Sequence, residues 1–220
     1  LRGWREADAA AHGAIEKVLG DGALSEPLVA RALAAELPPG ATLFVASSMP
    51  VRDLESCAPV RDDGPRVLCN RGANGIDGTV SSAFGSAAVA QGPVVLLIGD
   101  VALAHDVGGL LAASRLGLAL TIVLLDNDGG GIFEFLPVAG QSDAFEEHVA
   151  TPHGLDFARL ADTYGVAYEA VADLGALRSA LRAAARGDRS TILHVRTDRK
   201  ANVALHREVW AAVSAALHRR

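Results

Sequence analysis

Two runs, "PVVLLIG" (93–99) and "ALTIVLLD" (119–126), restrict the possible folds more than any other feature of the chain. Nearly every position in them is apolar, with no alternation. A strand with one wet face alternates; a strand apolar on both faces has to be covered on both. That is the condition of a parallel sheet held between helical layers. The intervening 104–116 has the length and pattern of a helix, so 93–126 reads as one β-α-β unit.

Further strands are expected at "TLFVAS" (42–47), "RVLCN" (66–70), "VAYEAV" (166–171) and "TILHVR" (191–196). Helices are expected over 1–19, 26–37, 155–164, 173–186 and 201–217. Ser25 is placed to cap the second of these, with Pro27 in its first turn and "PPG" stopping it. The stretch 137–154 reads as a surface loop. The expected class is α/β, an open, mostly parallel six-stranded sheet with helices on both faces. Residues 1–24 read as a linker or N-terminal helix from a preceding region, and 25–220 as one domain.

Composition removes several functions. The net charge is −6 over 220 residues, Lys occurs only at 17 and 200, and no basic run is present. Nucleic acid is therefore not an expected partner. An anionic ligand has to be held by a few placed arginines, backbone amides or a metal. Cys57 and Cys69 lack the spacing of a zinc or disulfide framework, which fits a reducing cytoplasm. No stretch reads as a membrane span or signal peptide. There is no GxxxxGK[ST], and "GANGIDG" lacks the dinucleotide spacing. The first residue is Leu1, the start expected of a piece of a longer protein.

In open α/β sheets ligands collect at the carboxyl ends of the strands, and the unusual residues cluster there: "SSMPVRD", "NRGANGIDG", "GDVALAHD" and "DNDGGG". Gly99-Asp100 and Asn127 each end a fully apolar strand, with 26 residues between Asp100 and Asn127. A carboxylate, an amide oxygen and a backbone carbonyl make a low-charge oxygen site. Such a set suits Mg²⁺ (or Mn²⁺) completed by phosphate and water. A helix starting near 104 would aim its positive end at the same place. Each motif alone is also explained as a cap or a turn; the pair at this spacing is not.

The Gly-Asp followed some two dozen residues later by Asn resembles the diphosphate-binding motif of thiamine diphosphate (ThDP) enzymes. By that resemblance Asp100, Asn127 and the Gly129 carbonyl hold the metal, and Gly72, Ile76, Gly99, Val101 and Ala102 join them around the cofactor. "SSMPVRDLE", "NRGANGIDGTVSSAFG", "NDGGGIFEFLP" and "TPHGLDF" narrow the resemblance to the SEPHCHC synthase family of menaquinone biosynthesis. It implies decarboxylation of 2-oxoglutarate and addition of the resulting carbanion to isochorismate, a transferase-class carboligation.

The same resemblance carries substrate carboxylates to Ser48, Arg52 and Arg71, and an apolar wall to Ile132, Phe133 and Leu136. Arg suits carboxylates because its planar fork binds them bidentately. The remaining glycines, Gly75, Gly78, Gly130 and Gly131, read as backbone devices. His105 and Asp106 read as a helix-start feature. Ala102 stands where family members often have Ser. The activating Glu of the family lies on a pyrimidine-binding domain absent from this segment, so no catalytic residue is assigned here. A homodimer or tetramer is implied, with the isolated segment inactive. Another ThDP carboligase or 2-oxo acid decarboxylase, and a non-catalytic diphosphate-binding module, are the alternatives.

Overall fold

The computed structural model describes residues 1–20, 22–70 and 74–218. Arg71 and Gly72, both singled out from the sequence, lie outside the described residues. The strands are β1 (Thr42–Val45), β2 (Arg66–Cys69), β3 (Val94–Gly99), β4 (Thr121–Asp126), β5 (Ala167–Ala170) and β6 (Thr191–Arg196). They form one six-stranded sheet in the order β2-β1-β3-β4-β6-β5, every pairing parallel. The helices among the described residues are α1 (Arg2–Leu19), α2 (Glu26–Glu36), α3 (Met49–Cys57), α4 (Thr79–Val89) and α5 (Asp100–His105). After these come α6 (Leu111–Leu116), α7 (Ser142–Phe145), α8 (Phe157–Tyr164), α9 (Leu174–Ala184) and α10 (Arg199–His218).

The unbroken apolar runs have the expected cause. Leu43, Val45, Val95, Leu97, Val123 and Leu125 meet Val29 and Leu33 of α2 and Leu177 and Leu181 of α9 on one face. Phe44, Leu96, Ile98, Ile122 and Leu124 meet Val80 and Phe84 of α4, Leu103 of α5 and Phe157 of α8 on the other. Alternate residues therefore enter opposite layers, and each buried side chain of this size contributes about 1.5–3 kcal/mol. The short strands β2 and β5 close the sheet edges. Helix α1 lies along α10, where Ile15 and Leu19 pack with Leu28, Cys57 and Val209.

Three local expectations are corrected. The helix expected over 104–116 begins directly at Asp100, stops at His105 and resumes at Leu111 after a 3₁₀ turn, Val107–Leu110. The break follows from close approach to α4: a Cβ on Gly109 would lie 2.8 Å from the Ser81 hydroxyl. His105 and Asp106 consequently end α5 rather than begin a helix. Their partners lie across the turn. His105 Nε2 is 2.6 Å from Asp77 Oδ1, and Asp106 Oδ2 accepts the Ser81 N–H at 2.8 Å, so Asp106 serves the first turn of α4.

The second correction is 137–154, which is not an irregular surface loop. It contains a 3₁₀ turn, α7 and a π turn (Glu146–Ala150), with Phe145 and Ala150 buried. Third, Ser25 occupies the N-cap position of α2 without a side-chain cap bond.

Candidate functional site

A cavity of about 650 Å³ opens at the carboxyl ends of β1, β3 and β4. These three strands are neighbours, so the segments following them converge without any long excursion. Asp100 and Asn127 both line the cavity, as the spacing predicts, because β3 and β4 pair with Gly99 opposite Leu125.

Asp100 is buried and held by three donors. Its Oδ1 accepts the Val101 N–H at 2.7 Å; its Oδ2 accepts the Gly129 N–H at 2.9 Å and meets His153 Nε2 at 3.1 Å. Burial raises the Asp100 carboxyl above its usual range, and these bonds from Gly129, Val101 and His153 oppose that rise. The His153 tautomer follows from its other nitrogen. Nδ1 accepts the Leu155 N–H at 3.0 Å, so the ring proton sits on Nε2 and points at Asp100. Ligand atoms of Asp100, Asp126 and His153 lie within 4.8 Å of one another, spacing that a metal ion could use. The bonding argues for a different division of labour. His153 Nε2 carries a proton, and Asp126 already accepts from the Asp128 N–H and meets His194 Nε2 at 2.8 Å.

Asn127 presents the opposite case. Its Nδ2 donates to Glu26 Oε1 at 2.8 Å, while its Oδ1 is buried with no hydrogen-bond partner among the described residues. A buried amide oxygen without a donor is costly, and a cation is one way of satisfying it. The chemistry therefore fits a hard divalent ion: a carboxylate, a free amide oxygen and nearby backbone carbonyls. The Gly129 carbonyl accepts the Gly131 N–H at 2.9 Å, which leaves it a second lone pair.

The glycine run is required by crowding. Gly129 has φ +137°, and a Cβ there would stand 2.2 Å from the Ala150 carbonyl oxygen. A Cβ on Gly130 would stand 2.7 Å from the Phe133 ring, and one on Gly131 2.6 Å from Asn127 Nδ2. The loop is backed by the Gly130 N–H donating to Ala150 at 2.7 Å. Asp128 fastens the other side by accepting the His153 and Gly154 N–H groups at 3.0 and 2.8 Å.

Among the other residues singled out from the sequence, Ser48, Arg52, Ile76, Gly99, Val101, Ala102, Ile132 and Phe133 line the cavity. Ser48 carries φ 74° and ψ −134°, a strained position for a residue with a side chain. Its carbonyl accepts from Arg52 Nη1, one helical turn on, and the Arg52 side chain is exposed at the cavity mouth. The Val101 amide donates to Asp100. Leu136 is 49% exposed and is not among the lining residues.

Several lining residues were assigned no role from the sequence. Asn70 bonds the Gly78 carbonyl at 3.3 Å and Ser82 Oγ at 3.1 Å, shaping the turn that brings Ile76 to the cavity. Glu26 is 2% exposed and lines the cavity from the first turn of α2. Burial lifts its carboxyl to about 7, against which the Asn127 bond works. In the sequence it resembles any acidic residue at a helix start. Beside it Asp53 Oδ1 meets His206 Nε2 at 2.7 Å, and His206 Nδ1 is 2.8 Å from the Asn202 carbonyl, so three helices, α2, α3 and α10, bring buried ionisable groups under the cavity.

The family "Thiamine pyrophosphate enzyme, C-terminal TPP binding domain" matches residues 57–195. The chain is 51% identical over 196 residues to the 2-succinyl-5-enolpyruvyl-6-hydroxy-3-cyclohexene-1-carboxylate (SEPHCHC) synthase of Myxococcus xanthus, covering 88% of this chain and 33% of that protein. It is 46% identical over 218 residues to the synthase of the same name from Chloroflexus aurantiacus, covering 99% of this chain and 37% of that protein. The chain thus spans about a third of the length of these relatives. Among solved structures, the thiamine diphosphate-dependent 4-hydroxybenzoylformate decarboxylase of Rhodococcus jostii matches with a TM-score of 0.65 at 23% identity. That match covers 80% of this chain and 33% of the decarboxylase, and it bears on the fold alone.

Proposed function

This chain belongs to the thiamine pyrophosphate enzyme family as its C-terminal TPP-binding domain, and from that premise we propose that it carries the diphosphate-binding half of a SEPHCHC synthase active site. The observation that carries the reading is Asn127: its amide oxygen is buried, with no partner among the described residues, on the strand end beside Asp100. Asp100, Asn127 and the Gly129 carbonyl would hold Mg²⁺, and the ion would anchor the cofactor's diphosphate. ThDP, when bound, supplies the electron sink that lets a 2-oxo acid lose CO₂ and add as a nucleophile.

The protein's own contribution is binding and exclusion. Arg52 at the cavity mouth is suited to a substrate carboxylate, and the resemblance implies the same role for Arg71. Both 2-oxoglutarate and isochorismate carry carboxylates, so fixed cations favour them over neutral substrates. Ile132 and Phe133 supply an apolar wall that displaces water from the reacting end of the cavity. On this reading the domain is 25–220 and residues 1–24 are a linker or N-terminal helix from a preceding region, whose α1 lies on α10. The activating Glu is assigned to a pyrimidine-binding domain of the same enzyme, assembled as a homodimer or tetramer in the cytoplasm. The segment by itself is inactive on this reading. No helix among the described residues is long and apolar enough to cross a membrane.

The test is substrate choice by the full-length protein. CO₂ release from 2-oxoglutarate is expected only with ThDP and Mg²⁺, and a coupled product only when isochorismate is present. Turnover of pyruvate with 2-oxoglutarate inert would overturn the assignment in favour of another 2-oxo acid decarboxylase.

A further inference from the structure

We propose that Glu26 is a positioning residue for the metal site: it selects the rotamer of the Asn127 amide that turns oxygen, rather than nitrogen, toward the cation. This inference rests on the proposed site and adds to it a residue from a distant helix.

An asparagine amide is nearly symmetric in shape, so its two ends exchange by a half-turn of the side chain, and only the oxygen end can ligate a cation. Something must distinguish them. Glu26 Oε1 takes the Asn127 Nδ2–H at 2.8 Å and the Thr197 hydroxyl at 2.9 Å. An oxygen accepting two donors carries no proton, so Oε1 remains an acceptor whatever the charge of the carboxyl. Turned over, Asn127 would set its own oxygen against Oε1, acceptor to acceptor, and aim an N–H at the cation.

The arrangement is held on every side. Thr197 is anchored to the end of β4, its N–H donating to the Asp126 carbonyl at 2.8 Å. Gly131 leaves the room that the Asn127 amide occupies. Glu26 is 101 residues from Asn127 and 171 from Thr197, so three separate segments meet at one oxygen atom. The result is a buried Oδ1 without a hydrogen-bond partner among the described residues. Partners that orient metal ligands in this way commonly account for 10- to 100-fold in metal affinity.

The experiment measures Mn²⁺ binding by electron paramagnetic resonance in the full-length protein with ThDP present. Glu26→Ala is expected to weaken Mn²⁺ about 10-fold or more, while Glu26→Gln, which keeps an acceptor oxygen, stays within about threefold of wild type. In an Asn127→Ala background Glu26→Ala is expected to add nothing further, because the effect runs through the amide. Unchanged affinity in Glu26→Ala would overturn the proposal. So would a Gln variant as weak as Ala, or an equal loss in the Asn127→Ala background, since either shows direct action of the charge. Should Glu26→Ala fail to fold by circular dichroism, Thr197→Val reads the same device, with about threefold weakening expected and none overturning it. Wild-type protein that takes up no Mn²⁺ with ThDP would instead overturn the proposed site itself.

Discussion

The Gly129 amide donates to Asp100 Oδ2 across 2.9 Å, tying the loop after β4 to the carboxylate that follows β3. The two strands carry the two halves of the proposed metal site, and this bond sets their separation through the protein's own backbone. It exists because position 129 adopts a φ of +137°, with the Ala150 carbonyl oxygen occupying the space a Cβ would need.

Gly129→Ala is therefore expected to be costly in two ways, through the positive φ and through a Cβ 2.2 Å from backbone. A loss of roughly 2–4 kcal/mol in unfolding free energy is expected, together with weaker ThDP binding. Urea denaturation and calorimetry check the two effects separately. A neutral outcome on both would mean that the loop is not held in this conformation.

Asp100→Ala and Asn127→Ala should raise the ThDP and Mg²⁺ requirements of the full-length enzyme together, because one ion links protein to diphosphate. About 10-fold or more is expected for each variant. Cofactor titrations at several Mg²⁺ concentrations measure it. A variant with unchanged cofactor affinity would sink the metal assignment.

Arg52→Ala should spare ThDP affinity and raise the KM for an anionic substrate by about 10- to 100-fold, the range for losing a hydrogen bond to a charged group. Steady-state kinetics with 2-oxoglutarate and isochorismate varied in turn reveal which carboxylate it meets. If both KM values hold while ThDP binding falls, Arg52 belongs to the cofactor instead.

Glu26 makes metal-free stability depend on pH. Its carboxyl lies at about 7 in the folded protein, against an ordinary value of 4.5. Between those values the folded protein keeps a proton that the unfolded chain has released, so stability falls as pH rises through the window and levels off above it. A displacement of that size is worth roughly 3 kcal/mol. Glu26→Gln removes it. The unfolding free energy of wild type relative to Glu26→Gln should therefore drop by up to roughly 3 kcal/mol between pH 4.5 and 7.5. A constant difference across that range would show that Glu26 is not held in an apolar surround.

The sequence by itself determined the sheet, its parallel sense and the rim on which Asp100 and Asn127 meet. Those are consequences of local pattern: Val94 to Ile98 and Ile122 to Leu125 are apolar at every step, and only strands covered on both faces need that. The glycines at 129–131 were legible as backbone devices, and the structure shows both uses: a positive φ at Gly129 and close approach of other atoms at all three. Tertiary structure alone decided what holds the motif in place. His153 reaches Asp100 across 53 residues and Glu26 reaches Asn127 across 101, and both look in the sequence like ordinary polar residues beside a Pro. The break between α5 and α6 was likewise invisible, because it comes from α4 pressing on Gly109. Periodicity along a chain reports how each residue meets water, whereas the partner of a buried polar group is chosen by whichever distant segment the topology brings alongside it.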